Sequence, residues 1–239
     1  MSPPGHTRPP VAGEAYGVGV IDTLTTLVPA APDRPNLAGP DHPIRKVTQS
    51  IAFRSDGWTP ERAANVTQLF DKLAVDWAER ASPERREPLL DALARGCFGS
   101  SMRLCAEVGS GTGSSTAELS RRFDSVIALD ISHEMLRRAP AEPAAQVRAD
   151  AAKLPLPDRS ASCVALVNAF LFPAEVDRVL APGGTLVWVS SLGDRTPIYL
   201  TPSDVEKAMP GQWQGVAADA GWGSWCTLQR LGEQSSLSR

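Results

Sequence analysis

From Met102 to about Ala208 the chain alternates between short apolar runs and segments of helical periodicity. No other feature constrains the fold as strongly. "MRLCAEV" reads as a buried strand and "SSTAELSRRF" as a helix. "SVIALD" is a second strand, followed by the helix "SHEMLRRA" with Ser132 as its cap. "QVRAD" is a third strand, and "SCVALVN" a fourth before the short helix "AEVDRVL". "GTLVWVS" is a fifth, and "PSDVEKAM" a helix capped by Thr201 and stopped at Pro210-Gly211. Strands that alternate with helices pair in parallel, because each crossover must return the chain to the same end of the sheet. The expected fold class is α/β, a doubly wound and mostly parallel seven-stranded sheet. "WQGVAADAGWGSWCTLQR" holds two extended stretches around a glycine turn, a hairpin that would add an antiparallel edge.

Ahead of this core the pattern changes. Residues 1–46 hold nine of the 21 prolines, which leaves few options for regular structure. Their first dozen residues are expected to be disordered, and "YGVGVIDTL" is apolar enough to pack, as a lid over a pocket for example. In "WTPERAANVTQLFDKLAVDWAER", Thr59 fits an N-cap and Pro60 the first helical position. Val66, Leu69, Phe70, Leu73, Ala74 and Trp77 then recur at helical spacing, so Phe70 and Trp77 are expected to pack this helix onto the sheet. A second helix begins near Pro88 and stops at Gly96. The expected organisation is a proline-rich segment 1–46, a helical cap 47–98, a Rossmann-like domain 99–231 and a flexible tail 232–239.

Composition narrows the function. The formal net charge is −3, which opposes a nucleic-acid partner. The four cysteines, Cys97, Cys105, Cys163 and Cys226, form no CxxC or Cys/His cluster, so no metal site is expected and the thiols read as free and buried. No secretory signal and no apolar run of membrane length is seen, so a cytoplasmic protein is expected.

The informative stretch is "LCAEVGSGTGSSTAELSRRF". The first strand ends at Val108 and "GSGTG" follows at once, where ligands sit in an open parallel sheet. Gly109, Gly111 and Gly113 permit a tight turn, and a helix starting near Gly113 would offer free amides and a positive dipole end to an anion. Two ligand classes compete. Dinucleotide binders use G-x-G-x-x-G, with the third glycine where Ser114 stands here. Glu107 would also repel a pyrophosphate. It suits a ligand carrying both an amino group and a carboxylate, such as the methionine end of S-adenosylmethionine (SAM). The second strand ends in Asp130, 21 residues after Gly109, where a carboxylate can accept from both ribose hydroxyls. The third ends in Asp150, where one could accept from an adenine amino group.

Taken together, "AEVGSGTG…VIALDIS…ML…RADAAKLPLPDRS…VLAPGG" resembles a class I SAM-dependent methyltransferase over roughly residues 100–190. The resemblance implies that Glu107, Gly109, Ser110, Gly111 and Gly113 surround the methionine part. Asp130 would hold ribose, Ile131 would lie on the adenine face, and Asp150 with Ala151 would meet the adenine edge. Asn168 would line the methyl-donor side. Two departures stand out: Ala161-Ser162 replaces the usual Phe-Asp of the fourth strand, and the stretch from Asn168 to "LAPGG" is short and lacks histidine.

Methyl transfer from a sulfonium is a displacement that needs mainly alignment. No residue presents itself as a catalytic base, and none is named. Asn168 is followed by Ala169-Phe170 and not by the Pro-Pro-Tyr/Phe of adenine-amino methyltransferases, which disfavours DNA or RNA acceptors. The expected function is methyl transfer from SAM to a small-molecule metabolite or natural product, with S-adenosylhomocysteine (SAH) as product, by a monomer or homodimer without nucleic-acid or membrane partners. The alternatives are a SAM- or SAH-binding protein that does not methylate and a dinucleotide-dependent oxidoreductase.

Overall fold

The computed structural model describes residues 21–35, 39–80 and 82–231. Eight strands form one sheet: β1 (Ile21–Thr23), β2 (Leu104–Val108), β3 (Ser125–Asp130), β4 (Ala145–Arg148), β5 (Ala161–Val167), β6 (Leu180–Ser190), β7 (Trp213–Ala220) and β8 (Gly223–Arg230). Their spatial order is β1-β7-β8-β6-β5-β2-β3-β4. Every neighbouring pair is parallel except those of β8, which runs antiparallel to both β6 and β7. The C-terminal hairpin is present, but its antiparallel strand is internal, not an edge. The chain passes β6, places β7 one strand further out, and folds β8 back into the gap between them.

The eighth strand comes from the proline-rich lead-in. Ile21, Asp22 and Thr23 pair with Gly215, Val216 and Ala217 of β7. This covers part of the outer edge of β7, where backbone groups would otherwise be unpaired. The Tyr16–Val20 part of the apolar stretch lies outside the described residues, as do the first dozen residues and residues 232–239.

The helices are α1 (Ile44–Phe53), α2 (Pro60–Leu73), α3 (Pro83–Arg95), α4 (Thr116–Ser120), α5 (His133–Leu136), α6 (Pro173–Val179) and α7 (Pro202–Ala208). The three caps read from sequence close as expected. The Thr59 side chain accepts from the Arg62 amide and Ser132 from that of Met135, while Thr201 and Asp204 form a reciprocal capping box. Other boundaries moved. The helix through Trp77 stops at Leu73 and continues as a 3₁₀ segment, Ala74–Arg80, kinked at Asp76. The β-branched Val75 and the poor helix former Asp76 stand at that break. α3 begins at Pro83, five residues before Pro88, which sits inside it. α1, which follows directly on Pro43, was not foreseen.

Alternate strand residues enter two cores, as the pleat requires. Val164, Leu166, Leu186 and Trp188 join one, together with residues of α1, α2, α6 and α7. Cys163, Ala165, Val187 and Val189 join the other, with Leu89 and Ala92 of α3 and Leu119 of α4. Strands buried on both faces read as continuous apolar runs, which is why β2, β5 and β6 stood out in the sequence. Cys105, Cys163 and Cys226 are buried and all four cysteines are free. No described helix is long and apolar enough to cross a membrane.

Candidate functional site

Parallel pairing of β2 with β3 and β5, and of β3 with β4, brings the carboxyl ends of four strands to one edge of the sheet. A cavity of about 450 Å³ opens there. That is the scale of a small-molecule site. The strand tips form its floor. Its roof comes from the α1–α2 loop, α2, the 3₁₀ segment and the start of α3.

Glu107, Gly109, Ser110, Gly111, Asp130, Ile131, Asp150, Ala151 and Asn168 all line the cavity. Gly113 does not. It turns the chain behind the loop with φ of +76°, and a side-chain carbon there would meet Thr116 Oγ1 at 3.3 Å and Ala139 Cβ at 3.4 Å. Gly109 has φ of +71°, and a carbon added to it would come within 2.6 Å of Ala169 Cβ. Gly111, at φ +57°, has open space above it, bounded at 3.8 Å by Trp77 Nε1.

The loop amides are not bare. Those of Gly109 and Ser110 donate to the Leu129 carbonyl at 2.8 and 3.1 Å, and that of Gly113 donates to the Ser110 carbonyl. The Gly111 amide donates to Asp130 Oδ2 at 2.8 Å. The helix after the loop is only the five residues of α4 and starts at Thr116, too short for a macrodipole to serve as an anion anchor. The loop therefore acts as a rigid turn fastened to β3.

Glu107 is 2% exposed. Burial pushes its carboxyl up to about 7; a hydrogen bond from Thr116 Oγ1 opposes the rise and the negative charge of Asp130 adds to it. Asp130 also titrates above the ordinary range, chiefly through desolvation, although the amides of Ser132, Gly111 and Ile131 favour its charged form. Asp150 accepts from the Ala152 amide at 2.9 Å and from the Trp58 indole N–H at 3.1 and 3.0 Å to its two oxygens. Asn168, at φ +53°, closes its side chain on Ser191: Nδ2 donates to Ser191 Oγ at 2.9 Å, and Oδ1 accepts from the Ser191 amide at 2.8 Å. It lines the cavity while lacing the end of β5 to the end of β6.

Several lining residues were not legible in the sequence. Trp58 packs edge-on against Phe172, with centroids 5.2 Å apart. Phe70 and Trp77 were expected only to pack a cap onto the sheet. They meet edge to face with centroids 6.0 Å apart and form part of the roof. Asp71 joins roof to floor by accepting from Ser132 Oγ at 2.5 Å and from the Glu134 amide at 3.2 Å.

Residues 106–188, from β2 to β6, match the family model of the methyltransferase domain. Over that stretch, about a third of its length, the chain is similar to methyltransferase domains. A SAM-dependent methyltransferase from Aquifex aeolicus shares the fold at 18% identity and a TM-score of 0.50, with 65% of this chain and 96% of that one covered. Another from Thermotoga maritima aligns at 17% identity and a TM-score of 0.50, covering 69% and 99%. A complex of the Haloferax volcanii Trm112 methyltransferase activator with a methyltransferase matches at 25% identity and a TM-score of 0.44, covering 50% of this chain and 59% of that one. The chain spans 45–59% of the length of this and three further structures that it matches. No curated protein sequence matches it.

The residues present fit the cofactor of such a domain. Ser110 Oγ is buried on the cavity wall without a hydrogen-bond partner. One oxygen of Glu107 takes the Thr116 hydroxyl and the other is available to an ammonium. A carboxylate offers about four acceptor positions. Asp130 uses one on each oxygen for the loop amides and keeps capacity for two hydroxyls.

Proposed function

We propose that this protein transfers a methyl group from SAM to a small-molecule acceptor. The observation that carries the reading is the set of three carboxylates, Glu107, Asp130 and Asp150, which rise from three strand ends around one cavity. In this reading Glu107 receives the amino group, Asp130 the ribose hydroxyls and Asp150 the adenine amino group, with Gly109, Ser110 and Gly111 beneath the methionine part. Ile131 and Ala151 give the base an apolar bed. SAM supplies a methyl group already activated on a sulfonium. The chain's own work is to hold and orient the partners and to exclude water, to which the aromatic roof of Trp58, Phe70 and Trp77 contributes. The enclosed roof and the net charge of −3 favour a small acceptor over a nucleic acid.

Titration calorimetry with SAH and with NAD tests the ligand. SAH is expected to bind and NAD is not; the reverse would overturn the reading. Asp130→Ala should weaken SAH about a hundredfold, since two charge-assisted hydrogen bonds are lost. Unchanged affinity would sink the assignment. Label from methyl-labelled SAM should appear in a small-molecule fraction of a metabolite extract. Firm SAH binding with no label transferred would instead mark a protein that holds the cofactor without methylating.

A further inference from the structure

The cavity is electrically two-ended. The acids of its floor already accept donors: Thr116 for Glu107, two backbone amides for Asp130, Trp58 and Ala152 for Asp150. The wall formed by the 3₁₀ segment and the start of α3 carries Arg80, Arg85 and Arg86. Among the described residues Arg80 and Arg85 have no carboxylate partner. Arg80 lies over the Trp77 ring with its guanidinium carbon 5.0 Å from the centroid. Arg85 is half-buried, and both its desolvation and the like charge of Arg80 work against its protonated form. Arg86 approaches Glu118 only to 3.8 Å, and that carboxylate is held more closely by Arg121. Guanidinium groups stay charged, so drawing Arg85 partly out of water without an acid is costly unless a ligand brings the acid, and Arg80 and Arg86 stand exposed beside it to share that ligand.

SAM brings one carboxylate, together with an ammonium and a sulfonium that are both cationic. A single carboxylate satisfies one guanidinium fork. At least two forks then remain on the same wall, next to a cationic methyl donor. We propose that the acceptor is itself an anion, a carboxylate- or phosphate-bearing molecule. Its acid group docks on Arg80 and Arg85 with Arg86 beside them, and its apolar body lies against Trp77 and Phe70. This rests on the methyltransferase reading above. It adds the charge class of the acceptor and names the residues that select it.

The full chain saturated with SAH is titrated with benzoate, phenyl phosphate and uncharged benzamide. At least one anion is expected to bind about tenfold or more tightly than benzamide, and the tighter of the two identifies the acid group. Arg85→Gln, and independently the more exposed Arg80→Gln, should remove most of that preference while leaving SAH affinity within about twofold. Two results would overturn the proposal. One is equal binding of anions and benzamide. The other is a loss of SAH affinity as large as the loss of anion affinity, which would mean that these arginines serve the carboxylate of SAH. Wild-type protein that fails to bind SAH at all fails the function itself, and is recognised before any anion is added.

Discussion

Glu107 shows how one side chain ties stability to binding. Folded, it keeps its proton to about pH 7; unfolded, it releases it near 4.5. The folded state therefore holds more protons across that window, and stability falls as pH rises from 4.5 to 7, by about 3 kcal/mol in all. Glu107→Gln removes the buried charge and leaves an acceptor for Thr116. It is expected to raise the melting temperature at pH 8 and to leave it nearly unchanged at pH 5, where wild type is also neutral; scanning calorimetry at the two pH values checks this. The same change should weaken SAH. Wild-type SAH affinity should drop about tenfold per unit as pH falls below 7, because the ammonium needs the ionised partner, and the variant should lose that slope.

Among the elements, the turn between β2 and α4 carries the most demanding geometry. Gly109 combines a left-handed backbone with a 2.6 Å approach to Ala169 Cβ, so Gly109→Ala meets strain and a clash together. It should cost about 2–3 kcal/mol, read as a lower denaturation midpoint. Adding Ala169→Gly should recover the clash and leave the backbone cost, so the double variant should fall between wild type and the single variant. This turn was legible because glycine is the residue that such a conformation requires. The length of the next helix was not: "SSTAELSRRF" has helical spacing throughout, yet only Thr116–Ser120 is α-helical. The kink at Asp76 was equally hidden, and it is what carries Trp77 from a helix face to a place above Gly111.

At the scale of the whole molecule, α3 is clamped to the sheet by a polar bond inside the apolar layer. Asp91, 7% exposed, accepts from Arg95 at 2.7 and 2.5 Å and from the Trp225 indole of β8 at 2.8 Å. Burial alone would raise its carboxyl; the Arg95 and Trp225 bonds outweigh that and hold it below the usual range. Asp91→Ala orphans both donors and should cost about 3 kcal/mol, seen as a fall in melting temperature, with Asp91→Asn losing less because it can still accept from Trp225. Since α3 also carries Arg85 and Arg86, loosening this clamp should blur the cavity wall while leaving the strand tips in place.

The sequence by itself determined the order of strands and helices from β2 to β8, the sheet edge where the cavity opens and the acids that line it. These are local signals: apolar runs of strand length, a glycine where φ is positive, and strand–helix alternation that sends the carboxyl ends of β2, β3, β4 and β5 to the same side. Tertiary structure alone decided the roof. Trp58 reaches an acid 92 residues away, Asp71 closes on Ser132 61 residues on, and β1 finds β7 across most of the chain. No periodicity encodes such meetings, because they depend on how finished elements pack. The positive wall of the cavity, built from arginines to which the sequence reading assigned no role, exists only once that packing is complete.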